Sequence, residues 1–180
     1  KINHIKKEYK ELRSDSSEEI AKESAKRLAE EMKIPVVVED SGLFIKALND
    51  FPGTCSSYIH KRIGLRGILK LMKDIEDRTC FYRSAVAYCE PGKQPISFFG
   101  EEKGNISEDI KGVYGFGHDP IFIPEGTRTT SGTNSVGSKK TYGEMENCET
   151  IKKFRRNAVL QLKEYLKKWQ LLNKGNYKKI

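Results

Sequence analysis

The chain has 180 residues, of which 37% are hydrophobic and 32% are charged, and its formal net charge at pH 7 is +8. This length suits one domain, or two small lobes that share a sheet, and because no apolar run reaches the roughly 20 residues that cross a bilayer, a membrane span is excluded. Much of the excess charge is lysine near the two ends, which is typical of solvated helix faces and argues against a nucleic-acid footprint.

The cysteines give no sign of a metal site or a disulfide framework. Cys55, Cys80, Cys89 and Cys148 show no CxxC pairing and no nearby histidine ligands. Since no signal peptide is visible, we expect a cytoplasmic protein. The chain starts with Lys1 rather than Met, so we also expect that an N-terminal piece is missing.

The first elements predicted are an extended segment and a helix. Residues 1–13 alternate weakly between apolar and polar and are predicted to be a strand or an extended segment. Ser16 stands three residues before Glu19, which is the capping-box spacing at the start of a helix. Apolar residues at helical spacing follow, and the helix must end before Pro35.

A β-branched strand at residues 36–38 leads directly into two carboxylates, Glu39 and Asp40, followed by Ser41 and Gly42. We expect this strand to deliver both acids to an edge where the backbone turns. Acidic ligands for a metal or an attacking water are commonly held at such edges. A solvated turn is the competing interpretation.

The middle of the chain predicts a sheet with one more helix. The apolar spacing predicts strands at residues 43–48, 81–89 and 96–101 and an amphipathic helix at residues 65–75. Pro91 and Gly92 form a strong turn, so the last two strands make a β-hairpin. Residues 103–112 are predicted to be a loop.

Glycines surround a second group of candidate functional residues. The sequence GFGHDPIFIP contains Phe116, His118 and Asp119, which are followed by a short apolar strand. Glycines at this spacing let the backbone approach a ligand closely. Residues 127–140 are predicted to be a mobile loop, and residues 151–172 a long helix. The alternation of strands and helices favours an α/β protein in one piece.

Several stretches, in this order, resemble the Ham1-like inosine triphosphate pyrophosphatase family. They are EYKELRSDSSEEIA, VVVEDSGLFIKAL with FPGTCSSY, GFGHDPIFIPEG and TYGEM. The similarity runs from about Glu8 to the final helix, so it is more specific than any single motif. It implies one domain over residues 1–180, with an elongated mixed sheet flanked by helices and two lobes around a central nucleotide cleft.

The resemblance also implies a reaction and a metal. Family members hydrolyse non-canonical purine nucleoside triphosphates (ITP, XTP, dITP) with Mg²⁺, giving the monophosphate and pyrophosphate, and they are commonly homodimers. The family's metal ligands fall on Glu11 and Asp40, with Glu39 supporting, and Asp40 is also the proton acceptor. Carboxylates suit Mg²⁺, which prefers oxygen ligands.

The implied substrate contacts fall into two groups. Ser41 and Gly42 would contact phosphate, and the base pocket would be lined by Phe116, Gly117, His118 and Asp119. Phe116 can stack on a purine, with core packing as the alternative. Asp119 is either a base-pocket acid or a cap for the turn at Pro120. His118 stands where the family often has Tyr or Trp, so we expect it to form a pocket wall rather than act as a base.

Two departures from the family pattern leave parts of the function open. The family's N-terminal Thr/Ser-Gly-Asn-x-x-Lys phosphate loop is not found in this chain. Its lysine and Ser-His-Arg run, which bind phosphate and read the 6-oxo group, are replaced by Glu149 and by Lys153-Phe154-Arg155. Lys153 and Arg155 are therefore the predicted substrate contacts, with Lys152 as an alternative to Lys153.

These departures keep competing functions open. A non-catalytic descendant of the fold could bind a nucleotide or a protein partner. The net charge alone motivates a nucleic-acid binder. Residues 127–140, which are longer than the family pattern suggests, are either a lid or a tolerated surface insertion.

Overall fold

The computed structural model describes residues 2–126 and 140–174, with side chains described as far as Trp169. The strands are β1 (Val36–Ile45), β2 (Phe51–Gly53), β3 (Thr79–Cys89), β4 (Ile96–Ile106) and β5 (Phe122–Pro124). The helices are α1 (Ser17–Met32), α2 (Ser56–Leu71), α3 (Cys148–Ile151) and α4 (Phe154–Lys174). The strands form one sheet in the order β2-β1-β3-β4-β5, and each of its strand pairs is antiparallel.

Helix α1 starts where the sequence predicts, but its cap differs from a full capping box. Ser16 Oγ accepts a hydrogen bond from the Glu19 backbone N–H at 3.3 Å. The Glu19 carboxylate accepts from Ser14 Oγ at 2.6 Å rather than from the Ser16 N–H. The N–H of Ser16 itself donates to Ser14 Oγ, so a second serine completes the cap.

The prediction of two strands across residues 36–48 is wrong, because β1 is one continuous strand. It pairs with β3 from Val36 opposite Cys89 to Ile45 opposite Cys80, without a break. A three-residue helical turn, Lys46–Leu48, ends it. The turn expected after the acidic pair is therefore absent, and the two acids lie in the middle of a strand.

The two faces of β1 pack against different helices. Val38 belongs to the core cluster with α1, whereas Val37 packs against the cluster formed with α4. Successive strand residues point to opposite faces. Asp40 therefore shares the α1 face with Val38, and Glu39 shares the α4 face with Val37.

The rest of the fold shifts several predicted boundaries. The hairpin is confirmed, but β4 continues to Ile106, so residues 103–106 are strand rather than loop, and β5 pairs with them. Helix α2 starts at Ser56, earlier than predicted, and its backbone breaks at Gly64. The predicted final helix is divided into α3 and α4. None of the described helices is long and apolar enough to span a membrane.

Residues 127–139 of the predicted loop lie outside the described residues. The described part of the chain nevertheless has the α/β architecture expected from the sequence. Its sheet separates the α1 layer from the α4 layer, and a third core cluster joins α2, β3 and β5. This arrangement places residues 41–43 of β1 and the starts of α2 and α4 around one cavity.

Candidate active site

A cavity of about 370 Å³ lies between β1, α2 and the start of α4. The predicted substrate contacts that line it are Ser41, Gly42, Phe116, Gly117, His118, Asp119 and Arg155. Lys153 is not among the lining residues; it is exposed, and Lys152 lines the cavity instead. The sequence therefore identifies most of the cavity but places its lysine one position too late.

Lys152 and Asp119 form a buried ion pair at the cavity wall. Lys152 Nζ lies 2.6 Å from Asp119 Oδ2 and 2.6 Å from Glu149 Oε1. The side chains of Lys152 and Asp119 are only 5% and 2% exposed, whereas that of Glu149 is 56% exposed. No local pattern signals this pair, because its two members are 33 positions apart.

Asp119 also holds the loop that precedes it. Its Oδ2 accepts the Phe116 backbone N–H at 2.7 Å, and its Oδ1 accepts the Tyr82 hydroxyl at 3.1 Å. A Cβ on Gly115, which has φ +74°, would lie 2.1 Å from Asp119 Oδ2. A larger residue at position 115 would therefore displace the Asp119 carboxylate. Asp119 caps the loop through Phe116 and lies in the cavity wall, and its role as a base-pocket acid stays a prediction.

Phe116 is not a core residue, since it is 56% exposed. Lys152 Nζ lies 4.4 Å from the centre of its ring, and the Arg155 guanidinium carbon lies 5.7 Å from it. An exposed aromatic ring beside two cations can stack on a flat, electron-rich ligand that also carries negative charge.

His118 is buried at the back of the cavity. Burial lowers its pKa to about 4, and the neighbouring His60 adds to this shift. The two rings meet edge to face with their centres 5.1 Å apart. His118 Nε2 has no hydrogen-bond partner within the described residues. A neutral, enclosed imidazole supports the role of a pocket wall rather than that of a base.

Arg155 connects α4 to β1 at the cavity mouth. Its Nε donates to Glu39 Oε1 and its Nη2 to Ser41 Oγ, each at 2.9 Å. Glu39 Oε1 also accepts from Ser84 Oγ at 2.7 Å. The side chain of Glu39 therefore contacts Arg155 on the α4 face of β1, opposite the face of Asp40. Its supporting role in metal binding stays a prediction.

Asp40 lies on the other face of β1, in an acidic group with Glu11. Burial raises the pKa of Asp40 to about 6; the nearby hydroxyl of Ser17 opposes the shift, and the charges of Glu11 and Glu39 add to it. Neither Asp40 Oδ2 nor Ser17 Oγ reaches a partner with hydrogen-bond geometry in the described ranges. A cation or an attacking water would supply the missing partner of this buried carboxylate oxygen.

Tyr9 completes this acidic group and was missed by the sequence reasoning. Burial raises the pKa of its hydroxyl, and Glu11 and then Asp40 raise it further. Tyr9 packs against the core cluster that includes Val38 of β1, a contact that no spacing in the sequence indicates. The charge of Glu11 raises the pKa of Asp40, so the two carboxylates are neighbours. Carboxylate oxygens suit a hard cation such as Mg²⁺, and their role as metal ligands stays a prediction.

A second set of possible metal donors is Asp119, Cys148 and Glu149, whose ligand atoms lie within 4.8 Å of one another. The ammonium group of Lys152 contacts both of these carboxylates. The cation position of this set is therefore already filled by a side chain.

Together, the fold and these groups define an α/β protein with a cationic, aromatic cleft on one face of a strand and an acidic group on the other. The chain matches the Ham1 family model over residues 1–165. It belongs to the Ham1 family, which confirms the resemblance found in the sequence.

Individual relatives agree with this assignment. The dITP/XTP pyrophosphatase of Methanopyrus kandleri is 50% identical over 77% of this chain and 73% of its own length. That of Saccharolobus solfataricus is 42% identical over 78% of this chain and 73% of its own. A HAM1 protein from Coxiella burnetii is a solved structure with TM-score 0.71 and 26% identity, covering 86% of this chain and 78% of that one.

A second solved structure supports the fold alone. The Ham1 protein of Staphylococcus aureus has a TM-score of 0.73 at 24% identity and covers 88% of this chain and 81% of that chain. The predicted α/β fold class is therefore confirmed.

Proposed function

We propose that this protein is a Mg²⁺-dependent pyrophosphatase of non-canonical purine nucleoside triphosphates such as dITP, XTP and ITP. Water would attack the phosphoanhydride chain between the α and β phosphates, releasing the monophosphate and pyrophosphate. Relatives named dITP/XTP pyrophosphatase support this substrate class. The observation that carries the proposal is that one stretch of β1 holds both Asp40, whose buried Oδ2 has no partner in the described residues, and the cleft residues Ser41 and Gly42. The acidic group and the cationic cleft therefore lie at the same level of the strand, on its two faces.

The cleft has the features needed to hold a purine. Phe116 offers an exposed ring for stacking. Lys152 has three N–H donors, of which Asp119 and Glu149 use two. The third can donate to the oxo group of a 6-oxopurine. A 6-amino group is itself a donor and would leave the third N–H of Lys152 without an acceptor, so adenine is disfavoured.

The triphosphate would lie between the cleft and the acidic group. Lys61 and Arg155 line the cleft and supply positive charge for the phosphates. Arg155 is held in place by Glu39 and Ser41. We therefore assign Glu39 to positioning Arg155 instead of binding metal.

Glu11 and Asp40 would hold the Mg²⁺ ion. When bound, such an ion stabilises phosphate charge and makes a water molecule more acidic. Asp40 Oδ2, which has no partner in the described part of the chain, would accept the proton of the attacking water. The homodimeric state and the cytoplasmic location remain predictions.

The test is hydrolysis by the full-length protein and by its Asp40→Asn variant. We expect wild-type protein to release pyrophosphate from dITP and XTP faster than from dATP. Asp40→Asn should lower kcat by about 10³-fold, while the Kd for inosine monophosphate stays within about twofold. Asp109→Asn, which changes an exposed aspartate of the loop after β4, is the matched control.

Two outcomes would contradict the proposal. Unchanged turnover by Asp40→Asn would remove Asp40 from the chemistry. Binding of inosine monophosphate by the wild-type protein without turnover of any triphosphate would indicate a nucleotide-binding protein instead of an enzyme.

A further inference from the structure

We propose that Glu102, which lies outside the cleft, is a positioning residue that fixes Lys152 and Arg155 for nucleotide binding. This inference rests on the proposed function, since it concerns the same cleft. Glu102 is on β4 and is only 6% exposed. Its Oε2 accepts the Lys153 backbone N–H at 2.8 Å, and its Oε1 accepts the hydroxyl of Tyr142.

The environment of Glu102 is unusual for a structural residue. A buried carboxylate is costly unless it is paired with a cation or fully hydrogen-bonded. No salt bridge to Glu102 occurs among residues 2–126 and 140–169, so its two hydrogen bonds must offset the cost of burial. Burial raises the pKa of the Tyr142 hydroxyl, and the bond to Glu102 adds to this, so Tyr142 stays protonated and donates.

The first bond of Glu102 fixes the backbone between the two cleft cations. Lys153 directly precedes Phe154, the first residue of α4, and its N–H is at the end of the helix where such groups lack helical partners. A carboxylate there also interacts favourably with the helix dipole. Lys152 lies on one side of this N–H, and Arg155 lies two residues beyond it.

The second bond reaches Lys152 by another route. Tyr142 is fully buried, and Lys152 Nζ lies 5.8 Å from the centre of its ring. By orienting Tyr142, Glu102 also fixes part of the surface against which the Lys152 ammonium rests.

A second contact of the same strand shows how closely β4 approaches the start of α4. A Cβ on Gly100, two residues before Glu102 and on the same face of β4, would lie 1.9 Å from the Phe154 carbonyl oxygen. The absence of a side chain at Gly100 lets the start of α4 come close, and the carboxylate of Glu102 then binds it. Together they define where the cleft cations lie relative to the sheet.

The experiment compares Glu102→Gln with the control Glu101→Gln in the full-length protein. Glu101 is the exposed neighbour on the opposite face of β4, where it pairs with Arg83 at 2.7 Å. The readouts are KM and kcat for XTP and dITP, the ratio of kcat/KM for dITP over dATP, and the Kd for inosine monophosphate. Thermal unfolding of each variant separates a loss of fold from a loss of positioning.

We expect Glu102→Gln to raise KM and the Kd for inosine monophosphate by about 10-fold. The preference for dITP over dATP should fall, kcat should change little, and Glu101→Gln should match wild type. Tyr142→Phe, which keeps the bond to the Lys153 N–H, should give a smaller change in the same direction. It also provides a second measurement if Glu102→Gln unfolds.

A folded Glu102→Gln variant with wild-type KM and wild-type selectivity would overturn the inference, even if its melting temperature were lower. Parallel loss of kcat with unchanged KM would also overturn it. Failure of the wild-type protein to bind or hydrolyse any purine nucleotide would instead refute the proposed function and, with it, this inference.

Discussion

The buried ion pair of Lys152 and Asp119 makes each residue depend on the other. Removing one member of a buried pair typically costs about 3–5 kcal/mol, because the remaining charge stays buried alone. We expect Lys152→Met to lower the free energy of unfolding by about this amount. The additional change Asp119→Asn should restore part of it without restoring nucleotide binding, because the cleft lysine is still absent.

Urea unfolding of the two single variants and the double variant measures this coupling. If Lys152→Met costs less than about 1 kcal/mol, the pair is not buried in solution as described. If the double variant is no more stable than Lys152→Met, the two residues are not coupled.

His118 should make stability depend on pH. Its folded pKa is about 4, whereas a histidine in the unfolded chain titrates near about 6.5. Between these values the unfolded chain binds a proton that folded His118 does not. The contribution of neutral His118 to the free energy of unfolding is therefore complete above about pH 6.5. It is lost as the pH falls towards 4 and amounts to about 3 kcal/mol at most.

The check is the free energy of unfolding of wild type and His118→Phe from about pH 4 to about pH 7.5. The variant keeps an aromatic ring but cannot titrate at position 118, so the wild-type free energy of unfolding minus that of the variant should shrink as the pH falls from about 6.5 towards 4. His4→Phe, at an exposed position, is the control and should keep the wild-type slope. Parallel curves for wild type and His118→Phe would show that His118 titrates normally in the fold.

At the scale of the element, position 115 in the loop before Asp119 requires glycine for two reasons, its positive φ and the closeness of the Asp119 carboxylate. A matched pair of variants separates the two effects. Gly115 and Gly92 both have φ +74°. A Cβ at Gly92 would meet nothing within 4 Å, whereas one at Gly115 would meet Asp119 Oδ2 at 2.1 Å. Gly92→Ala therefore reports backbone strain alone, and Gly115→Ala reports strain plus the displacement of Asp119.

We expect Gly115→Ala to be less stable than Gly92→Ala by about 2 kcal/mol. It should also raise KM, because Asp119 holds Lys152 in the cleft wall. Thermal unfolding and steady-state kinetics test both effects. Equal stability of the two variants would show that the loop moves aside without cost.

Elements with strong local signals could be predicted from the sequence, whereas pairings between distant residues could not. Ser16 and Pro35 bracket α1, and the Pro91-Gly92 turn defines the hairpin, because these residues act on their own backbone. The continuity of β1 was missed because Ser41 and Gly42 have the composition of a turn, yet full pairing with β3 outweighs that local preference.

The candidate site shows the same division. Asp40 and the cleft residues near Phe116 were identified from motifs that resemble the family. Lys152 was only an alternative, and Glu102, which follows the predicted strand 96–101, was given no role. The role of Lys152 depends on its contact with Asp119, and that of Glu102 on its contact with the start of α4. Tertiary packing sets both contacts, so they leave no periodic pattern in the sequence.

At the scale of the whole molecule, charge should govern substrate capture. The chain has a net charge of +8, and three cations, Lys61, Lys152 and Arg155, line the cleft. Among the described lining residues Asp119 is the one carboxylate, while Glu149 and Glu39 contact Lys152 and Arg155 from outside the lining. A field of this sign attracts a polyanion and is screened by salt, with a Debye length of about 10 Å at 0.1 M. We expect kcat/KM for a triphosphate to fall as the ionic strength rises.

The measurement is kcat/KM for dITP in KCl from about 0.02 M to about 0.5 M. The affinity for inosine monophosphate, which carries less charge, should fall less steeply over the same range. Salt dependence that is equal for the two ligands, or absent for dITP, would show that the cationic lining does not guide the triphosphate.

The division of Glu39 and Asp40 between the two faces of β1 makes strand register a determinant of chemistry. Side chains alternate with a period of two, so a slip of one residue against β3 would exchange the faces of the two acids. The amino-acid composition of the strand would be unchanged, but Asp40 would face Arg155 and the acidic group would lose its buried oxygen. Inserting or deleting one residue in the segment 36–38 should therefore inactivate the protein even where the sheet survives, because what specifies the role of each acid is its place in the pairing with β3.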